Sequence, residues 1–158
     1  MVRRLRPVGL DFLRSAPVRP AFTAALSASP RAVYRALAED VPGWVRWFGA
    51  VTEAVPVRDG AGRDVRLRIG VRFEETILAA DAFTRYAYRV DVTNAPGITA
   101  LAEEWWIEAV AGGGSRVRWT FAVDGPPAAL AVTRAARPGL HRSFRGAMRA
   151  LDRTLAAG

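Results

Sequence analysis

Cysteine, lysine and glutamine are missing from the 158 residues, and histidine occurs once, at His141. Without cysteine there is no disulfide framework, no thiol nucleophile and no thiolate metal ligand. A lone histidine and acidic residues that do not cluster at ligand spacing form no metal-binding pattern, so no metal is expected. Long apolar runs are missing too, since no stretch approaches the roughly 20 residues of a membrane helix. Arg3, Arg4 and Arg6 look like a signal-peptide n-region, but Pro7, Gly9, Asp11 and Arg14 interrupt the apolar segment that would have to follow. A cytoplasmic protein without membrane insertion is therefore the expectation. Gly112-Gly113-Gly114 joins two expected strands instead of opening a helix after one, so it is not a phosphate loop, and no cofactor is expected.

What is present is ordinary globular material: 51% hydrophobic and 24% charged residues suit one packed domain. All 23 basic residues are Arg against 15 acidic ones, giving a net charge of +8, and 30 alanines accompany them. This skew carries the imprint of GC-rich coding and does not by itself mark a nucleic-acid surface. Arg66, Arg68, Arg116 and Arg118 are expected on the outer face of a sheet, and Arg142, Arg145, Arg149 and Arg153 along the last helix. Neither set reads as having interleaved aromatic side chains. Nonspecific, salt-sensitive attraction to polyanions or anionic membranes is all that they imply, and no specific nucleic-acid partner is expected.

Residues 1–17 read as a basic arm in which Val8, Leu10, Phe12 and Leu13 can make one helical turn that docks loosely; residues 18–158 form the domain. A first strand covers Ala21 to Ser27. Ser29-Pro30 then supplies an N-cap side chain followed by a residue preorganised for the first helical position. Val33, Tyr34 and Leu37 continue at helical spacing, and after Val41-Pro42-Gly43 a second short helix carries Trp44, Val45, Trp47 and Phe48. From Val51 the apolar period changes to two. Strands are expected over 51–57, 65–71, 72–80, 85–92, 101–110 and 116–124, joined by short turns as an antiparallel meander. Beyond Gly125-Pro126-Pro127 the chain turns helical, and Leu140, Phe144, Met148, Leu151 and Leu155 form one apolar stripe over 138–156. The fold class is α+β: a curved seven-stranded antiparallel sheet needs its apolar face covered, and the C-terminal helix is the long amphipathic element available. One helix laid on a bent sheet leaves a hollow.

Alternation assigns the side chains that face this hollow. The last strand contributes Val117, Trp119, Phe121 and Val123. The strand before it contributes Glu103, Trp105, Ile107 and Ala109, and the one before that Tyr86, Tyr88, Val90 and Val92. Phe73, Glu75, Ile77 and Ala79 complete the face, and Phe144, Met148, Trp47 and His141 are expected to approach it from the helices. The expected interior thus holds two carboxylates and two phenols among bulky apolar groups. Glu75 and Glu103 are the candidate acid/base residues. A buried carboxylate must find a partner or keep its proton, and strands flanking a third hold their residues roughly 10 Å apart at backbone level, close enough to address one ligand. The alternative is structural, because a Glu at a bulge or strand end turns to solvent or pairs with a neighbouring Arg. Likewise the aromatic residues either line a ligand site or fill a dry core. Trp44 and Trp47 either gate the mouth or anchor the short helix, and His141 either stands at the rim or belongs to the helix surface.

The order strand, two short helices, six-strand meander and long C-terminal helix resembles that of the START-like superfamily called SRPBCC, in particular its bacterial polyketide cyclase/dehydrase-like branch. The resemblance rests on Ala28-Ser29-Pro30-Arg31-Ala32-Val33-Tyr34, on Trp44-Val45-Arg46-Trp47-Phe48, and on Glu75 ahead of Arg85-Tyr86-Ala87-Tyr88-Arg89-Val90. Glu104-Trp105-Trp106-Ile107 and Gly114-Ser115-Arg116-Val117-Arg118-Trp119-Thr120 complete it, over residues 18 to 157. It implies a helix-grip fold around a cavity for a small hydrophobic molecule, aromatic polyketide-like or lipid-like. A polyketide aromatase, cyclase or dehydratase using Glu75 or Glu103 is the alternative that the resemblance implies. A protein-interaction or chaperone-cofactor module is a third, although the Gly-Gly and Asp-Arg signatures of that branch are not evident. The arm is free to close the cavity or embrace a second subunit, which leaves a homodimer open.

Overall fold

Ser29 opens a helix as its place before Pro30 predicts: its hydroxyl accepts from the Ala32 N–H and caps α2 (Pro30–Tyr34). The structure, a computed structural model, covers residues 1–158. Strand β2 (Ala21–Leu26) precedes this helix, which runs on as a wider turn over Arg35–Glu39 and a tight turn at Val41–Gly43 into α3 (Trp44–Trp47). The meander follows as β3 (Val51–Val57), β4 (Gly62–Leu67), β5 (Arg72–Asp81), β6 (Arg85–Thr93), β7 (Ala100–Ala109) and β8 (Ser115–Asp124). These are the seven expected strands, antiparallel in the order β2-β8-β7-β6-β5-β4-β3. Two helices close the chain, α4 (Pro127–Ala135) and α5 (Arg137–Ala156). Phe144, Ala147, Met148 and Leu151 bury the stripe of α5 against the sheet. Asp152 fastens the helix to the end of β2, accepting from Ser27 N–H and Ala28 N–H at 3.0 Å each and from Ser27 Oγ at 2.9 Å.

The strand expected over 65–71 begins earlier, at Gly62, and stops at Leu67. Ile69 therefore sits in the β4–β5 turn, 83% exposed, beside Gly70 at φ 82°, a backbone conformation that favours glycine. Strict alternation also fails at two bulges between β5 and β6. Glu74 pairs with Val92 while Glu75 pairs with Val90, and Ile77 pairs with Tyr88 while Ala79 pairs with Ala87. The extra residue at Asp91 turns Thr93 inward in place of Val92, and the extra residue at Leu78 sends Ala79 to the outer face. Ala109, at the end of β7, is exposed.

The arm is packed, contrary to the loose docking expected of it. A short strand, β1 (Arg3–Arg4), pairs with Val92 and Thr93 of β6 as an eighth member of the sheet, and α1 (Phe12–Ser15) follows. On the face away from α5, Ala87, Ala100, Ala102 and Ala122 make a smooth floor that receives Val8, Phe12, Leu13 and Ala16. Small side chains leave room there for a second layer. Arg6 pairs with Asp124 at 2.8 Å, and Arg89 donates to the Val8 carbonyl at 3.3 Å.

Candidate ligand-binding site

The middle of α5 fills the concavity. Phe144 stacks on Trp119 with centroids 6.0 Å apart, Trp119 stacks on Trp105 at 5.4 Å, and Met148 and Leu151 are buried alongside. The hollow that remains lies toward the N-terminal end of α5, a cavity of about 260 Å³. Leu140 and Ser143 of α5, Ile69 and Val71 of the β4–β5 turn and Ala95 border it; Phe73, Tyr88, Trp119 and Phe121 line it from the sheet, and Trp44 and Phe48 from the region of α3.

An arginine and two carboxylates stand in this apolar wall: Arg63, Glu75 and Glu103. Arg63 on β4 faces Glu75 on β5 directly across the ladder, and its Nε donates to Glu75 Oε2 in an ion pair whose side chains are each 2% exposed. The guanidinium also lies 4.1 Å from the ring centroid of Trp44 and 3.9 Å from that of Tyr88. These ring faces favour a desolvated cation. Its Nη1 is buried without a hydrogen-bond partner.

On the other side of β6, Glu103 Oε2 accepts from the Tyr88 hydroxyl at 2.7 Å and from Trp119 Nε1 at 2.9 Å, while the Tyr88 oxygen accepts from Trp105 Nε1 at 3.0 Å. An indole N–H can only donate, so the direction of the chain is fixed from Trp105 to Tyr88 to Glu103. Burial pushes Glu103 above the ordinary carboxylate range, against the pull of the Tyr88 and Trp119 hydrogen bonds. Burial also raises Glu75 to about 7, opposed by Arg63 and reinforced by the Glu103 charge. Burial works to lower the Arg63 guanidinium, and the Glu75 carboxylate with the Tyr88 and Tyr86 hydroxyls together more than offset it. Tyr88 is held well above its ordinary value by burial and by the neighbouring Glu103. One guanidinium beside two carboxylates is electrically neutral when one carboxylate keeps its proton. The site can therefore present both a cationic N–H donor and a carboxyl group to a bound molecule.

Of the residues expected to face a ligand, the fold brings Phe73, Glu75, Tyr88, Glu103, Trp119 and Phe121 together around the cavity. Trp105 and Phe144 stand behind them in the packed core, and Tyr86 is buried beside Tyr88, 5.5 Å from the Arg63 guanidinium. Trp47 stacks on Phe48 at 5.6 Å inside the aromatic cluster of α3 and does not reach the cavity wall. Ile77 is half-buried outside it. His141 and Met148 turn to the opposite flank of α5, where they border a separate hollow with Thr23, Arg145, Arg149 and Asp152. The His141 ring stacks on Phe22 at 5.2 Å, so it is not at the cavity rim. No group of three His or acidic side chains converges to form a metal ligand set. Arg63 is the residue that sequence reasoning missed. It lies two residues before Val65 and shares the inward parity of that strand, but the run up to Gly62 reads as a turn with the strand starting later.

Residues 20–156 match the family model described as polyketide cyclase / dehydrase and lipid transport. The chain belongs to this family. Uncharacterized proteins of Mycobacterium tuberculosis and Mycobacterium bovis are 31% identical over 159 aligned residues, covering 95% of this chain and 94% of theirs. Among solved structures, one half of the di-domain aromatase/cyclase BexL from the BE-7585A biosynthetic pathway superposes with a TM-score of 0.73 at 18% identity, covering 85% of this chain and 46% of that one. A START superfamily protein from Mycobacterium smegmatis superposes with a TM-score of 0.65 at 11% identity, covering 84% and 98%. XoxI from Bacillus cereus gives 0.72 at 14% identity, covering 88% and 96%. At these identities the likeness is one of fold, and it agrees with the helix-grip arrangement of sheet and C-terminal helix. No helix of the chain is long and apolar enough to cross a membrane.

Proposed function

We propose that the chain binds a small, flat, mostly apolar molecule carrying at least one oxygen acceptor, in the cavity beneath the N-terminal part of α5. The observation that carries this reading is the unpartnered Nη1 of Arg63, fixed by Glu75 and by the rings of Trp44 and Tyr88 in a wall that is otherwise aromatic and aliphatic. A buried N–H without an acceptor costs about 1–3 kcal/mol, which a carbonyl, carboxylate or phenolate oxygen would offset. The volume of about 260 Å³ is at the small end for ligand sites and favours a compact ring system over an extended acyl chain. The family's description, which names both polyketide cyclisation and lipid transport, is compatible with this chemistry.

Titration of intrinsic tryptophan fluorescence tests the reading, with flavonoids, flat aromatic polyketides and fatty acids as the panel. Saturable quenching by the oxygen-bearing ring compounds is expected, and Leu140→Trp, which narrows the mouth, should weaken it at least tenfold. No saturable response across the panel would overturn the reading.

A second reading is favoured by the fixed donor chain that ends on Glu103. A carboxyl group that burial holds above the ordinary carboxylate range, set in a mostly apolar wall, suits proton transfer in an aromatase, cyclase or dehydratase. In that case Glu103→Gln or Glu75→Gln abolishes turnover of an identified substrate. Full turnover by both variants would remove this reading and leave binding alone.

A further inference from the structure

On the face of the sheet away from α5, three strands set Arg85, Trp106 and Arg118 side by side, because Trp106 of β7 pairs with Arg85 of β6 and with Arg118 of β8. The next outward rung carries Glu104 and Thr120, with Ala21 of β2 opposite Thr120. Leu10, Leu13 and Arg14 of the packed arm, with Arg19 just beyond it, wall this floor, and together they bound a hollow of about 560 Å³. From sequence alone the outward basic face reads as lacking interleaved aromatic residues. Trp106 corrects that reading, since the alternation that turns Trp105 inward turns its neighbour outward.

The charge in this hollow is unbalanced. Of its four arginines, Arg85 is paired with the single acidic residue, Glu104, at 2.7 Å. Arg14, Arg19 and Arg118 have no carboxylate within ion-pair distance. They share the hollow with the half-buried indole of Trp106, over which the Arg85 guanidinium lies 5.8 Å from the ring centroid. Guanidiniums gathered without counter-charge repel one another, and a ligand bearing two or more negative charges converts that repulsion into charge-assisted hydrogen bonds. An indole face among them accepts a stacked planar ring. We propose that this hollow binds a nucleotide-like ligand, with a planar ring on Trp106 and a di- or triphosphate held by Arg14, Arg19 and Arg118. Glu104 and Thr120 supply acceptors beside the ring, which suit an amino-bearing base. The wall formed by residues 10–19 bounds the hollow on one side and fits a single nucleotide better than a continuous strand.

The five indole N–H signals in a 1H–15N spectrum of the full chain provide the readout, titrated at physiological salt with ATP, adenosine and tripolyphosphate. ATP is expected to shift the Trp106 signal saturably while Trp119, on the cavity side, stays in place; adenosine and tripolyphosphate should each bind at least tenfold more weakly. Arg19→Glu and Arg118→Glu, both at exposed positions, should each weaken ATP at least tenfold with the fold intact by circular dichroism. Three outcomes would overturn the proposal: no Trp106 shift at millimolar ATP, equal binding of tripolyphosphate and ATP, or a short single-stranded oligonucleotide that outcompetes ATP at equal phosphate concentration. Since this hollow and the cavity lie on opposite faces of the sheet, each can fail without the other.

Discussion

Arg63 of β4 and Glu75 of β5 occupy opposing positions in the ladder and form an ion pair almost wholly withdrawn from water. Removing one charge strands its partner in a low-dielectric wall, whereas removing both leaves apolar neighbours free to close up. Arg63→Met and Glu75→Leu are each expected to cost about 3–5 kcal/mol in urea denaturation, and the combined change to recover most of that loss. If the single losses simply add in the double variant, the two residues are not acting as a pair.

The same cluster sets a dependence of stability on pH. Glu75 is raised from 4.5 to about 7 in the folded chain, so the native state binds more protons than the unfolded state between these values. Its contribution is fully present below pH 4.5 and is lost as the pH rises through 7, a difference of about 3 kcal/mol. Glu103→Gln removes the neighbouring negative charge that helps raise Glu75, and a glutamine oxygen can still accept from Tyr88 and Trp119. The variant should therefore lose less stability than the parent between pH 5 and pH 8. Parallel profiles for the two proteins would show that the carboxylates do not sense each other.

Much of this site is legible from alternation alone. Glu75, Tyr88, Glu103, Trp119 and Phe121 all face the cavity because a pleated strand gives every second residue the same side. Bulges break that rule without a clear sequence signature, which is why Thr93 replaces Val92 and Ala79 turns outward. The helix residues are less legible for a different reason. The stripe on α5 identifies Phe144 and Met148 as buried, but where the hollow lies along the helix depends on how far those side chains fill the sheet, a property of packing between distant segments. His141 shows the consequence: one residue of offset from the stripe carries it to Phe22 and away from the cavity. The docking of the arm is not legible in sequence because four alanines spread over β6, β7 and β8 become a floor only once those strands are side by side.

Tyr88 links the two halves of the cluster. Its hydroxyl accepts from Trp105 and donates to Glu103, so Tyr88→Phe leaves a buried indole N–H without its acceptor and removes one of the donors that oppose the upward push on Glu103. The expected cost is about 1–3 kcal/mol at neutral pH, diminishing at lower pH, where a protonated Glu103 has less need of the donor. Equal losses at pH 5 and pH 8 in denaturant titrations would contradict the hydrogen-bond order inferred for this chain.

The arm tethers one border of the cavity from behind. Leu5 N–H donates to the Asp91 carbonyl at 2.8 Å and Arg6 N–H to the Thr99 carbonyl at 2.9 Å, while the Arg3 guanidinium donates to the carbonyls of Ala95 and Ile98. These contacts bracket the loop whose Ala95 borders the hollow. Phe12 is the largest side chain that the arm buries in the alanine floor, and its truncation should release the arm as a unit without unfolding the sheet beneath. For Phe12→Ala, hydrogen exchange is expected to accelerate over residues 3–16 and 91–99, with β7 and β8 protected as before. Ligand affinity should fall with the ordering of that loop. Acceleration spread evenly through all the strands would mean that the arm is an inseparable part of the sheet's stability, and that its hold on the cavity border is not a local one.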